Sequence, residues 1–192
     1  MIKFALQILG IILISLQSCN TNEVKDRKDA PKRTWISEKD RTTEVTPEEL
    51  RFYDLTKNLA RKYETGSIQE VRSDITEIRR LLPKYATNWN YGNAIHKVNI
   101  IEGRIALQNG DLELAKQYLI EAGKTPGSPQ LNSFGPNMTL AREFLNKNEK
   151  QIVIQYFDLC NKFWNDDYNK LDDWKKQVEN GEMPYFGANL RY

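Results

Sequence analysis

The chain has 192 residues, 40% of them hydrophobic and 28% charged, with 28 basic and 26 acidic side chains; that is enough apolar material for one domain with a true core and excludes a disordered tail. A net charge of +2 with interleaved signs lacks the concentrated basic field that phosphate contacts need, which argues against nucleic acid as a partner. Ten glycines, seven prolines and two cysteines exclude collagen-like, low-complexity and disulfide-scaffold chains.

At the start of the chain Lys3 precedes an apolar run, Phe4 to Leu16, interrupted only by Gln7, Gly10 and Ser15. The run is shorter than the ~20 residues that cross a bilayer, and its positive start and small-residue end are those of a cleavable secretory signal. Its last residues, Leu16, Gln17, Ser18 and Cys19, resemble a bacterial lipobox. That resemblance implies that residues 1–18 are removed and that Cys19 becomes a diacylglyceryl-modified, acylated N-terminus, which holds the mature protein to a membrane. Several acyl chains, each contributing ~0.8 kcal/mol per buried methylene, anchor far more firmly than one. Asn20 stands where an aspartate would resemble an inner-membrane retention signal, so the outer membrane of the cell envelope is the expected destination. The mature chain keeps 27 basic and 26 acidic side chains. Its remaining thiol, Cys160, can form no intramolecular disulfide and is expected as a buried small hydrophobe.

Residues 19–45 follow as a lipidated cysteine and a charged tether. From Asn20 to Val45, thirteen of twenty-six residues are charged, too many to bury surface that would offset chain entropy. As a flexible coil this segment spans about 30 Å, from ~5–6 Å times the square root of its length. Trp35 and Ile36 are its bulky apolar pair, read as docking on the domain or touching the membrane surface.

Residues 46–180 carry helical spacing. Thr46, Pro47, Glu48 and Glu49 combine a hydroxyl cap, a first-turn proline and two carboxylates at the positive helix end. Phe52, Leu55, Leu59 and Tyr63 continue at spacings of three and four until Thr65, Gly66 and Ser67 break the pattern. A second helix carries Ile68, Val71, Ile75, Ile78 and Leu82 and stops at Pro83. The third runs from about Asn93 through Ile95, Val98, Ile101 and Ile105, and a turn at Asn109, Gly110 and Asp111 leads into Leu112, Ala115, Leu119 and Ala122. After a loop from Thr125 to Asn137, Met138, Ala141 and Leu145 lead to a turn at Asn148, and Val153, Phe157, Cys160 and Trp164 form a further stripe. A helix containing Tyr168, Leu171, Trp174 and Val178 follows, and residues 181–192 form an irregular tail. No run of period-two strands is present, so the predicted fold class is all-α.

The hairpins align on one another. With Gly66, Gly110 and Asn148 as equivalent turn positions, Val71, Ala115 and Val153 fall in register, as do Ile75, Leu119 and Phe157, then Ile78, Ala122 and Cys160; before the turn, Leu59, Gly103 and Ala141 correspond. This pattern resembles the tetratricopeptide repeat, with Gly103, Gly110, Ala115, Leu119 and Ala122 matching best and Pro83 in the place of a closing proline. The turn separations of 44 and 38 residues exceed the family repeat, and Leu59 stands where a small residue belongs. The resemblance implies about three irregular helical hairpins over residues 46–164, with the helix around Trp174 as a cap over the last apolar face. Two further stretches, TPGSPQLNSFGPN (125–137) and MPYFGANLRY (183–192), resemble segments of bacterial tetratricopeptide-like proteins without known activity, so they transfer no catalytic residue.

Motifs for chemistry are sparse. His96 is the sole histidine; Cys160 has no cysteine at ligand spacing, and no HExxH pair is present, so no metal site and no cofactor is expected. His96, next to Ile95 near the start of the third helix, is read as a surface or capping residue. No GxSxG elbow, phosphate loop or dinucleotide fingerprint occurs. Asp166 with Asp167 and Asp172 with Asp173 are read as acidic residues near a helix start. The expectation is therefore a non-enzymatic, membrane-anchored interaction module that binds an envelope protein or peptide on a groove lined by Asn93, Lys97, Asn99, Ile100 and Arg104. The alternative is a small-molecule or glycan binder using Gln130, Asn132, Phe134 and Asn137 of the loop and Tyr185 of the tail. A cluster of Trp89, Tyr91, Phe134, Trp164 and Tyr185 around one opening would favour that alternative. Tyr185, Phe186, Leu190 and Tyr192 are too apolar for a free tail and are expected to pack; a meeting of loop and tail would mark the best pocket.

Overall fold

A computed structural model describes residues 44–165 and 168–191. The expected signal peptide, the acylation site Cys19 and the tether through residue 43, with Trp35 and Ile36, lie outside the described residues, as do Asp166, Asp167 and Tyr192. The described chain is all-α. Its order is α1 (Pro47–Thr65), α2 (Ile68–Leu81), α3 (Tyr91–Gln108), α4 (Leu112–Gly123), α5 (Pro129–Phe134), α6 (Thr139–Asn146), α7 (Lys150–Cys160) and α8 (Lys170–Glu179), closed by a short 3-10 turn at Gly187–Leu190.

Local chemistry explains the starts. The Thr46 hydroxyl accepts from the Glu49 amide at 3.2 Å, and Ser67 and Glu70 form a reciprocal capping box on α2, each satisfying amides that a helix leaves without partners. Asp111 caps α4 through the Leu114 amide at 3.1 Å. The turns are less uniform than their alignment predicts. Gly110 and Asn148 both adopt left-handed φ, +82° and +62°, and both close by the same pair of bonds: Asp111 N–H to Ala106 O with Gly110 N–H to Leu107 O, and Glu149 N–H to Phe144 O with Asn148 N–H to Leu145 O. Gly66 sits at φ −106° and closes only onto Lys62 O, so the first turn is not equivalent to the other two.

Helix α3 separates two cores. Its Ala94, Val98, Ile101 and Ile105 pack with Phe52, Leu55, Leu59, Val71, Ile75 and Ile78 of α1 and α2. Its Ile100, Ala106 and Leu107 join a larger cluster with Leu119 of α4, Leu140 and Phe144 of α6, Phe157 of α7 and Trp174 of α8. Each fully buried side chain of this size contributes roughly 1.5–3 kcal/mol. The small residue expected at Gly103 is explained by approach: a β-carbon there would lie 2.3 Å from Leu140 Cδ2 and 3.1 Å from Tyr118 Cβ.

Several boundaries differ from expectation. The loop at 125–137 contains α5, because Pro129 fills the first turn and Ser128 Oγ accepts from the Leu131 amide at 3.0 Å. Helix α7 ends at Cys160, and Trp164 reaches the core from the turn beyond it, its amide donating to Cys160 O. Tyr168 is 78% exposed and precedes α8, whose buried residues are Leu171, Trp174 and Val178. In the tail Phe186 is buried and Leu190 partly so, whereas Tyr185 is 88% exposed. Cys160 is buried, as expected, and burial pushes its thiol pKa well above the ordinary value.

Candidate functional site

Helices α1 and α3, the 125–137 segment and the tail enclose a groove of about 590 Å³. One wall is the side of α1 that carries Tyr53, Lys57, Ala60, Arg61 and Glu64, residues three and four apart and adjacent to the buried stripe of the same helix. Along α3 and its N-cap residue the lining is Asn90, Asn93, His96, Lys97, Ile100, Ile101 and Arg104. The opposite wall is formed by Gln130, Leu131, Phe134 and Asn137, with Leu190 and Arg191 from the tail and Trp89 at the α3 end.

Hydrogen bonds between distant segments hold these walls in place. Asn88 Nδ2 donates to Glu49 Oε1 at 2.7 Å and to the Tyr53 hydroxyl at 2.8 Å, tying the start of α1 to the turn before α3. Thr125 Oγ1 donates to Gly92 O at 2.8 Å, and Ser128 Oγ to Asn93 Oδ1 at 2.5 Å, while Asn93 Nδ2 donates to Gln130 Oε1 at 2.9 Å. Loop and tail do meet. Asn189 Nδ2 donates to Phe134 O at 3.1 Å and Pro136 O at 2.9 Å, and the Met138 amide donates to Asn189 O at 2.7 Å.

His96 corrects its sequence reading. It is 3% exposed and spans the joint between α4 and the loop. The Asn137 amide donates to its Nε2 at 3.0 Å, which assigns the ring proton to Nδ1, 3.0 Å from the Ala122 carbonyl. Burial pulls its pKa down from 6.5 to about 4, opposed by the Ala122 hydrogen bond, so the ring is neutral at physiological pH.

The structure gathers most of the predicted site residues. Asn93, Lys97, Ile100, Arg104, Gln130, Phe134 and Asn137 all line the groove. Asn99, Asn132 and Tyr185 do not. Asn99 is two residues from Lys97 and so points to the other side of α3, where it donates to Ile95 O at 2.8 Å and lies 3.4 Å from Arg79 of α2. Asn132 turns inward, its Oδ1 accepting from the Ser128 amide and its carbonyl from the Asn165 amide. Two of the lining residues are largely committed within the protein. Arg104 pairs with Glu64 at 2.5 Å and Glu143 at 2.7 Å and lies 4.5 Å over the Tyr63 ring; burial lowers its pKa, but those carboxylates outweigh it and hold the guanidinium above its ordinary value. Asn137 Oδ1 accepts from both the amide and the hydroxyl of Thr139 at the start of α6. Tyr53, Lys57, Arg61, Asn90 and Arg191 escaped the sequence reading. The helical phase of α1 does put the first three on one face, but only the packing of α1 on α3 turns that face toward the groove.

Of the five aromatics that would mark a small-ligand pocket, Trp89 and Phe134 line the groove. Trp164 instead packs against Trp174 in the core, ring centroids 5.7 Å apart. A second depression, of about 370 Å³, lies between α2, α3 and α4 and is crossed by the Arg79–Glu102 ion pair. Among the described residues no three His, Cys, Asp or Glu side chains come together as metal ligands, and no helix is long and apolar enough to cross a membrane. Comparisons with protein-family models, with curated proteins and with solved structures find no match to this chain.

Proposed function

We propose that this protein is a lipid-anchored interaction module of the bacterial cell envelope that binds an extended peptide segment of a partner protein in the groove between α1 and α3. The observation that supports this most is the groove itself: an apolar floor of Ile100, Ile101, Leu131 and Leu190, framed by polar side chains from three separate segments, as peptide-binding clefts on helical scaffolds are built. The three hairpins in series are read as irregular tetratricopeptide-like units, and the anchor as Cys19 in the outer membrane. Capture of a small molecule or glycan has weaker support, since only two of its five expected aromatics line the groove.

The experiment is a crosslinking pull-down from envelope membranes that compares the wild type with Ala60→Trp, which fills the groove from the α1 wall. A specific protein recovered by the wild type and lost in the variant supports the reading. Recovery of the same protein by both refutes the groove as its site. In the same cells radioactive palmitate should label the protein, and Cys19→Ser should abolish the label; persistent labelling of the variant refutes the anchor.

A further inference from the structure

The groove holds donors and cations that the protein leaves unanswered. Asn90 is 4% exposed, its Oδ1 accepts from Asn93 at 3.2 Å, and its Nδ2 has no hydrogen-bond partner among the described residues. A buried amide N–H left in this way is destabilising, so an acceptor delivered by a ligand would recover that loss. Lys97, two helical turns further along the same face of α3, is partly buried and has no ion pair or hydrogen bond among the described residues. Its pKa is lowered by burial. Lys57 and Arg61 on the α1 wall and Arg191 of the tail also lack a carboxylate partner among the described residues. The acidic side chain in the lining, Glu64, is committed to Arg104. The site is therefore an excess of positive charge and N–H donors over an apolar floor, within a chain whose overall charge is nearly balanced.

Granting that the groove is the peptide-binding site, we propose that its occupant is an acidic, apolar peptide: an extended segment alternating Asp or Glu with large hydrophobic residues, one carboxylate seated against Lys97 and an acceptor oxygen against Asn90 Nδ2. From Asn90 to Arg104 the face of α3 runs about 21 Å at ~1.5 Å per residue, the reach of about six extended residues at ~3.3–3.6 Å each. The cations come from three separate segments, Lys57 and Arg61 from α1, Lys97 from α3 and Arg191 from the tail. That distribution favours side-chain carboxylates spread along a segment over a single terminal carboxylate. The alternation of a strand also fits, since successive side chains point to opposite sides and could address floor and cations in turn. Salt should weaken such binding, because exposed Lys57 and Arg61 contribute screened attraction.

The test uses the full chain in detergent and three hexapeptide libraries with acetylated and amidated ends. All three share randomised Leu, Ile, Val, Phe and Tyr at alternate positions; the remaining positions carry Asp and Glu, Asn and Gln, or Lys and Arg. Retention of the acidic library at least tenfold above the other two, reduced at least fivefold by Lys97→Met and by 0.5 M salt, is the expected result. Lys97→Met should raise the thermal unfolding midpoint, since it removes a partly buried charge without a partner, so lost binding cannot be assigned to misfolding. If the amide or basic library is retained equally well or better, and Ala60→Trp still abolishes retention, the acidic assignment falls while the groove stands as a peptide site. If no library is retained, or retention is unchanged by Ala60→Trp, both fall. A single-stranded oligonucleotide that binds more tightly than the acidic library also overturns the assignment.

Discussion

Protonating His96 should destabilise the protein in a pH window that no other histidine can share, because the chain has only this one. The ring is buried, with Nδ1–H given to Ala122 O and Nε2 accepting from the Asn137 amide, each at 3.0 Å. A proton added at Nε2 would face the Asn137 N–H and remove one of the bonds that fasten the loop to α3. With a folded pKa of about 4 against 6.5 unfolded, the unfolded chain binds the proton more readily between these values. Stability is thus complete above pH 6.5, falls as the pH drops toward 4 and levels off below it. The whole difference corresponds to about 3 kcal/mol at ~1.36 kcal/mol per pKa unit, and about 2 kcal/mol is lost between pH 7.5 and pH 5. For a domain of this size that lowers the unfolding midpoint by about 4–8 °C. Urea unfolding of the wild type and of His96→Gln at half-unit steps from pH 7.5 to pH 5 measures it. The variant should be less stable at pH 7.5 and should lose less of its stability toward pH 5. A wild-type curve no steeper than that of the variant would refute the assignment of the slope to His96.

Two further expectations follow from close backbone contacts. A β-carbon at Gly92 would stand 1.7 Å from the Gly127 carbonyl oxygen, a backbone atom that cannot swing aside, so Gly92→Ala should destabilise by at least about 3 kcal/mol, beyond the usual overpacking range; a midpoint within 2 °C of wild type in calorimetry would show that α3 and the loop do not approach in this way. Asn189→Leu removes both donors to Phe134 O and Pro136 O and should lower stability by about 1–3 kcal/mol while exposing the 129–136 segment to limited proteolysis; unchanged cleavage would mean that the tail does not hold the loop.

The helices were legible because their signals are local. Thr46 with Pro47, Ser67 with Glu70, and apolar residues every three or four positions act within one or two turns. The 125–137 segment was harder, since Pro, Gly and Ser announce turns, and the single turn of α5 depends on Ser128, which also donates to Asn93 thirty-five residues away. His96 was misread for a similar reason. An imidazole beside Ile95 offers no clue that Ala122 and Asn137 supply partners for both nitrogens.

The groove divides in the same way. Lys97 and Asn99 are equally polar and two residues apart, so composition could not separate them; the position of α2 on one side of α3, and of the loop on the other, made Asn99 a buried contact and Lys97 a groove residue. What the sequence determined by itself is the all-α class, the hairpin order, the apolar stripes and most of the polar residues around the site, because these follow from neighbours along one helix. The tertiary structure decided which helix faces meet, that tail and loop join through Asn189, and that among the described residues Asn90 Nδ2 and the Lys97 ammonium are left without partners. Those outcomes depend on contacts between segments tens of residues apart, where a few degrees of helix rotation exchange one side chain for another.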